Sequence, residues 1–211
     1  MADLSPTAAQ PILGRIGRLL AGGRAPVVVA VDGYSGAGKS RLATAVAAAV
    51  DGVIVDGDDF YAGDPAEAWE AGTVAEDAER CFDWRRLRRE ALEPLLAGRV
   101  ASWRRFDWEA GRGLAESPTV RQPATVVILA GAYSARPELA DLVSLSILVE
   151  APAEIRRERV ALRDGRIDEW YARWEAAELH YFTHVRPPAS FDLRVDNGTP
   201  VDQGGFSSPG W

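Results

Sequence analysis

Three groups of residues in this 211-residue chain have types and spacings that could do chemistry. The first is Gly33-Tyr34-Ser35-Gly36-Ala37-Gly38-Lys39-Ser40, a complete G-x-x-x-x-G-K-[ST] pattern. Its glycines permit backbone angles that a Cβ forbids, so N–H groups can turn inward toward phosphate oxygens. Nucleotide contacts are expected from Gly33, Ser35, Gly36, Ala37 and Gly38, and from Lys39, Ser40 and Arg41 at the start of a helix. Lys39 would reach the outer phosphates, and the Ser40 hydroxyl would support Mg²⁺. A glycine turn without a ligand is the plain alternative. The Lys-Ser pair and the strand before it weigh against that.

The second group is Asp56-Gly57-Asp58-Asp59-Phe60-Tyr61. A carboxylate there could orient or deprotonate an attacking hydroxyl, or hold Mg²⁺; the metal candidates are Ser40, Asp56 and Asp59. Adjacent carboxylates cannot both point at one spot, so one should face inward and one outward. The bland reading is an acidic turn. The third group is Arg156, Arg159 and Arg163, spaced three and four apart and so on one helical face. Next to a phosphate loop they suggest a closing lid of guanidinium groups. A solvated face neutralised by Glu154, Glu158 and Asp164 is the alternative.

Aromatic residues lie in polar stretches: Tyr61, Trp69, Trp84, Trp103, Phe106 and Trp108. They could enclose a flat or apolar substrate, or form a small satellite core. Tyr61, Trp84, Phe106 and Trp108 are taken as substrate candidates, with Arg105 beside them. His180 and His184 are four apart but have no evident third ligand, so a surface position is expected. Cys81 reads as packing.

These groups need elements to position them. Val27 to Val31 reads as a buried strand, and Arg41–Val50 as a helix. Further strands are expected at 52–55, 126–129, 145–149 and 191–195. Helices are expected at 7–21, 84–97 (capped by Asp83 and bent at Pro94), 136–142, 151–164 and 167–182. Strands alternating with helices indicate βαβ units and a parallel sheet covered on both faces. Ligands in such folds sit beyond the carboxyl ends of the strands, here Asp32, Asp56 to Asp59, Ala130-Gly131, Glu150 and Asp196-Asn197. One domain is expected over 1–211: an N-terminal helix over 1–23, a lid and following helix over 152–186, and a loose tail over 198–211.

A net charge of −7 argues against nucleic acid or an anionic membrane as partner. The single cysteine fits a reducing compartment, and the longest apolar run is too short to span a bilayer. The first ten residues do not read as a signal peptide. A cytoplasmic protein is expected, with a homo-oligomer left open.

In this order the motifs resemble the uridine kinase and phosphoribulokinase group of P-loop kinases, most of all its uridine-kinase-like proteins. The pieces are GYSGAGKS at 33–40, DDFY at 58–61, FDWRRLRREALEPLLAGR at 82–99, RFDW at 105–108, RRERVALRD at 156–164 and FDLRVDN at 191–197. The resemblance implies a three-layer P-loop NTPase fold with a five-stranded parallel sheet and a helical arginine lid. It implies ATP and Mg²⁺ as cofactors, and a small-molecule hydroxyl as acceptor. It makes Asp58 the base, Tyr61 the aromatic that closes on the acceptor, and Arg156, Arg159 and Arg163 the lid arginines. Residues 196–200, with Asn197, fall where related kinases wrap adenine. There are two departures. Phe106 and Gly111 stand where uridine kinases carry a tyrosine and a histidine. Ala130 stands where the family has an acid that helps hold Mg²⁺, so Asp56 or Asp59 covers the metal, or turnover is low, or the residue is a substitution.

The expected function is transfer of the γ-phosphoryl of ATP to a hydroxyl of a nucleoside-like molecule. The transferring residues would be Asp58, Lys39, Arg159 and Arg163. The alternatives are a kinase for an antibiotic, sugar or vitamin precursor, and a regulatory nucleotide-binding protein with little turnover.

Overall fold

The computed structural model describes residues 6–63, 72–165 and 168–198. Helix α1 (Pro6–Ala21) buries Ile12 and Ile16, one turn apart, against the main core. Strand β1 (Val27–Asp32) is buried along its whole length. Its residues alternate between two cores. Val27, Val29 and Val31 join α1 and helix α2 (Lys39–Val50) on one face of the sheet. Val28 and Ala30 face the opposite side. Both faces being covered explains the continuous β-branched run.

Strand β2 (Val53–Asp56) leads into a single 3₁₀ turn, Gly57–Phe60. Helix α3 (Val74–Arg80) opens with a capping box between Thr73 and Glu76. Helix α4 runs through Trp84–Leu87, a π-helical stretch Arg88–Leu92 and Glu93–Leu96, and Asp83 caps it. Pro94 accounts for the widened turn: it offers no N–H, and its ring crowds the carbonyl one turn earlier. Strands β3 (Ala101–Trp103) and β4 (Thr119–Arg121) form an antiparallel hairpin that the sequence reading does not contain. Next come β5 (Val126–Ala130) and β6 (Val143–Glu150), with a short 3₁₀ turn, Pro137–Leu139, where a helix is expected. Helix α5 (Ala153–Asp164), helix α6 (Glu169–His180, prolonged by a π turn to Val185) and strand β7 (Leu193–Asp196) complete the described chain.

The five long-range strands form one parallel sheet in the order β2–β5–β1–β6–β7. Strand β1 is central, with β5 and β6 on either side. The connections diverge there and leave a crevice at its carboxyl end. Trp69 and residues 199–211 of the expected tail lie outside the described residues. Cys81 is buried and unbridged, as packing requires. Among the described residues no helix is long and apolar enough to cross a membrane, and no cluster of side chains forms a metal cage by itself.

Candidate active site

The crevice is a cavity of about 930 Å³ above the end of β1. Its nucleotide side is made by the loop between β1 and α2. Gly33 has φ 146° and Gly36 φ 76°. A Cβ on Gly33 would run into the Val149 carbonyl, and one on Gly36 into the Arg156 carbonyl. Glycine is therefore required twice over, by angle and by space. Helix α2 starts at Lys39, so its N-terminus faces the cavity. Lys39 Nζ donates to the carbonyls of Gly33 (2.8 Å) and Tyr34 (3.0 Å), which holds the ammonium across its own loop.

Two buried carboxyls brace this loop. Asp32 accepts the N–H groups of Gly33, Tyr133 and Ala135 and the Tyr181 hydroxyl, at 2.8 to 3.0 Å. Glu178 of α6 accepts the Ser35 N–H (2.9 Å), the Ser35 hydroxyl (2.8 Å) and the Trp174 indole (3.0 Å). Burial raises both acids above the ordinary carboxylate range, against the lowering effect of their donors and Lys39. Neither role is visible in the sequence reading, which has Asp32 only as a strand end and does not single out Glu178. Ser35 thereby needs correction: its polar groups turn to Glu178 rather than to the place of a phosphate.

The arginine set divides. Arg159 and Arg163 line the cavity. Arg159 donates to the Gly36 carbonyl (3.2 Å) and the Asn197 carbonyl (3.0 Å). Burial and the charge of Arg41 lower its pKa. Arg163 pairs with Asp164 and lies close enough to Asp58 to lower that acid's pKa. Arg156 does not join them. Its backbone is pressed on Gly36, so its side chain leaves beneath the loop, 4.3 Å over the Tyr34 ring, and meets Glu175. Asn197 closes the nucleotide side by donating to the Ala37 carbonyl at 2.8 Å.

The adjacent aspartates divide as well. Asp56 and Asp58 line the cavity, opposite Lys39. Asp56 is raised to about 6, first by desolvation and then by the charge of Asp58. Asp58 is raised by desolvation, while Lys39 and Arg163 pull it down. Both residues are exposed where they open to the cavity, so solvent there moderates the desolvation. Asp59 leaves the site: its carboxylate accepts the Trp103 indole at 2.7 Å, and its carbonyl accepts from Arg86 and Phe106. The hairpin absent from the sequence reading supplies that indole, so Asp59 is withdrawn as a metal candidate. Ala130 is buried where β5 ends and sends no polar group into the cavity.

Another wall of the cavity is aromatic. Phe82, Trp108, Trp170, Tyr171 and Trp174 line it. Trp108 stacks on Tyr61 with centroids 5.0 Å apart, and Trp170 stacks on Trp174 at 5.2 Å. Tyr61 is buried behind Trp108, and Phe106 packs edge-on against both. Four expected substrate contacts do not line the cavity: Tyr61 and Phe106 are buried, Trp84 sits beneath Arg85 and Arg136, and Arg105 is exposed. Trp170, Tyr171 and Trp174 stand one and four positions apart on α6. In the sequence that spacing reads only as a helix face.

A parallel sheet in this order, a glycine loop between central strand and helix, and an acid with arginines across the cavity define a P-loop phosphotransferase fold. The comparisons agree. A uridine kinase from Deinococcus deserti is 30% identical over 167 residues, covering 77% of this chain and 79% of that protein. A possible uridine kinase from Bacillus stearothermophilus has the same fold at 17% identity and TM-score 0.63, covering 88% of this chain and all of its own. A candidate fructose transport system kinase from Silicibacter sp. TM1040 superposes at TM-score 0.69 with 23% identity, over 89% and 98% of the two chains. No protein-family profile matches the chain. The chain belongs to the uridine kinase-like P-loop kinases, and it is an ATP-dependent phosphotransferase with an alcohol group as acceptor.

Proposed function

We propose that this kinase transfers the γ-phosphoryl of ATP to a hydroxyl of a small, flat, nucleoside-like molecule. The observation that carries this is one cavity lined together by Lys39, Arg159 and Arg163, by Asp58 and by the aromatic side chains of Trp108, Trp170 and Trp174. The triphosphate lies on the loop amides and the α2 N-terminus. Lys39 leaves its own loop carbonyls for the outer phosphates. The acceptor ring lies against Trp108 and Trp174, which brings its hydroxyl to Asp58. Asp58 takes the hydroxyl proton as the new P–O bond forms and the bond to the ADP oxygen breaks. A carboxyl raised above its ordinary range is a better proton acceptor for that step. Arg159 and Arg163 offset the charge on the moving phosphoryl group.

The family implies Mg²⁺. The donor set fits it: Ser40 and Asp56 offer hard oxygen ligands, and the mutual repulsion of Asp56 and Asp58 is what a cation relieves. Those two residues would hold the ion, which when bound neutralises charge on phosphate oxygens.

A second reading has support in the 106–111 segment. Phe106 is packed away and Gly111 lies in an exposed loop, so neither reads a base edge. That favours a non-nucleoside alcohol. A regulatory NTPase with little turnover is favoured only by Ala130, and it leaves the aromatic wall without a purpose. The test is ATP consumption with a panel of nucleosides, sugars, vitamin precursors and antibiotic alcohols, with mass detection of a phosphorylated product. Phosphorylated uridine or cytidine supports the first reading. A product from another class replaces it with the second. ATP binding with no product from any class favours the third.

A further inference from the structure

We propose that Glu178 is a positioning residue that ties the glycine loop to the acceptor wall, so that filling one half of the site orders the other. The inference rests on the reading above, with a triphosphate on the loop and an acceptor against Trp174. Glu178 is fully buried, with 0% of its surface exposed. Its carboxylate accepts three donors. Two are the N–H and hydroxyl of Ser35, in the middle of the loop. The third is the indole N–H of Trp174, one helical turn earlier on the same face of α6. Trp174 also reaches the Ser35 hydroxyl directly, at 3.1 Å. Loop, carboxylate and indole thus form a closed triangle, and Ser35 and Trp174 both line the cavity.

Stability alone does not account for this arrangement. A buried carboxyl costs desolvation, and a well-packed apolar group in its place is often no less stable. What an apolar group cannot do is fix a loop amide and an indole to one point. A shift of Ser35 on phosphate binding reaches Trp174 chiefly through Glu178, which holds both the loop N–H and the hydroxyl, and also through the direct 3.1 Å bond. A ring placed on Trp174 must steady Ser35 in return, because such coupling is reciprocal.

The test uses the full chain and a non-hydrolysable ATP analogue, so it needs no knowledge of the acceptor. The Trp174 signal is the fluorescence of the wild type minus that of Trp174→Phe. In the wild type the analogue is expected to change that signal. In Glu178→Gln most of the change should vanish, while analogue affinity by calorimetry stays within about 5-fold, the low end of typical coupling. Ser35→Ala removes the hydroxyl but keeps the loop N–H on Glu178, so it should lose only part of the change, and the double variant should lose no more than Glu178→Gln. If Glu178→Gln does not fold, Ser35→Ala carries the test alone. A Trp174 response that survives Glu178→Gln, or that Ser35→Ala leaves undiminished, overturns the proposal, as does a wild-type Trp174 blind to the analogue. A wild type that does not bind the analogue at all overturns this inference together with the reading beneath it. A wrong acceptor class leaves the test intact.

Discussion

The loop wall and the aromatic wall of the cavity, proposed above as its nucleotide and acceptor halves, are built in different ways. The nucleotide half is mostly backbone. One contiguous loop supplies it, and its glycines are required because the carbonyls of Val149 and Arg156 leave no room for a Cβ. The acceptor half is all side chain. Phe82 comes from the approach to α4, Trp108 from the segment that joins β3 to β4, and Trp170 and Trp174 from the helix after the lid. A loop of backbone can hold only the part common to all triphosphates. A wall of side chains from separate segments can change its ligand by single substitutions. This difference explains why the donor is evident and the acceptor is not.

Removing one chemical group from each side should break the comparison most strongly. Lys39→Ala and Asp58→Asn should each lower turnover about 10²–10⁴-fold. They should differ in binding. Calorimetry should find nucleotide affinity weakened in Lys39→Ala and nearly unchanged in Asp58→Asn. An Asp58→Asn enzyme with near-wild-type turnover would remove Asp58 as base.

Next in size are the aromatic substitutions. Trp108→Ala and Trp170→Ala each remove a stacked ring from the mouth of the acceptor half. Each should raise the acceptor KM about 3- to 10-fold, with the KM for ATP within a factor of about 2. Equal rises in both constants would show that the two halves are not separable in this way.

The same contrast marks what could be read from the chain. Strand positions, the loop, the acidic turn with Asp58 and the arginine spacing are local signals: β-branched runs, a fixed motif, a helical period. The five parallel strands fall within a residue or two of expectation: β1, β5 and most of β6 are buried runs, and the part-buried edge strands β2 and β7 are bounded by turn residues. The acceptor wall is a tertiary product. Trp170 and Trp174 look like any amphipathic face until α6 is packed, whereas Trp84 and Arg105 sit in a promising stretch but point elsewhere. Arg156 misleads because helical spacing reports a shared face and not which residue the neighbouring loop presses upon. The hairpin escapes because its strands, Ala101–Trp103 and Thr119–Arg121, are too short for alternation to register.

That hairpin separates two neighbouring acids, and Asp59→Ala tests the separation. Its carboxylate holds the Trp103 indole. Losing it leaves a half-buried donor unmade, at a cost of about 1–3 kcal/mol in chemical denaturation. Turnover at saturating Mg²⁺ should stay within about 3-fold of wild type, since Trp103 and Asp59 both lie off the cavity. A large loss reversed by raising Mg²⁺ would instead return Asp59 to the metal.

The smallest expected effect concerns the acidic edge of the cavity. Asp56 is raised to about 6 by desolvation and by the charge of Asp58. An acid whose folded pKa lies above its unfolded value near 3.8 favours the folded state only while protonated. Its contribution is therefore fully present below about pH 4, and it is lost as pH rises through about 6. At pH 7.5, without nucleotide or Mg²⁺, the ionised Asp56 destabilises the fold, though its opening to the cavity softens the effect. Asp56→Asn should then raise the melting temperature by a few degrees at pH 7.5, and the gain should shrink toward pH 5. The acceptor half has no counterpart to this, because its rings carry no charge to hold apart. A melting temperature that Asp56→Asn leaves unchanged across that range would mean the carboxyl is fully solvated. The repulsion that makes Asp56 a plausible seat for a cation would then be gone.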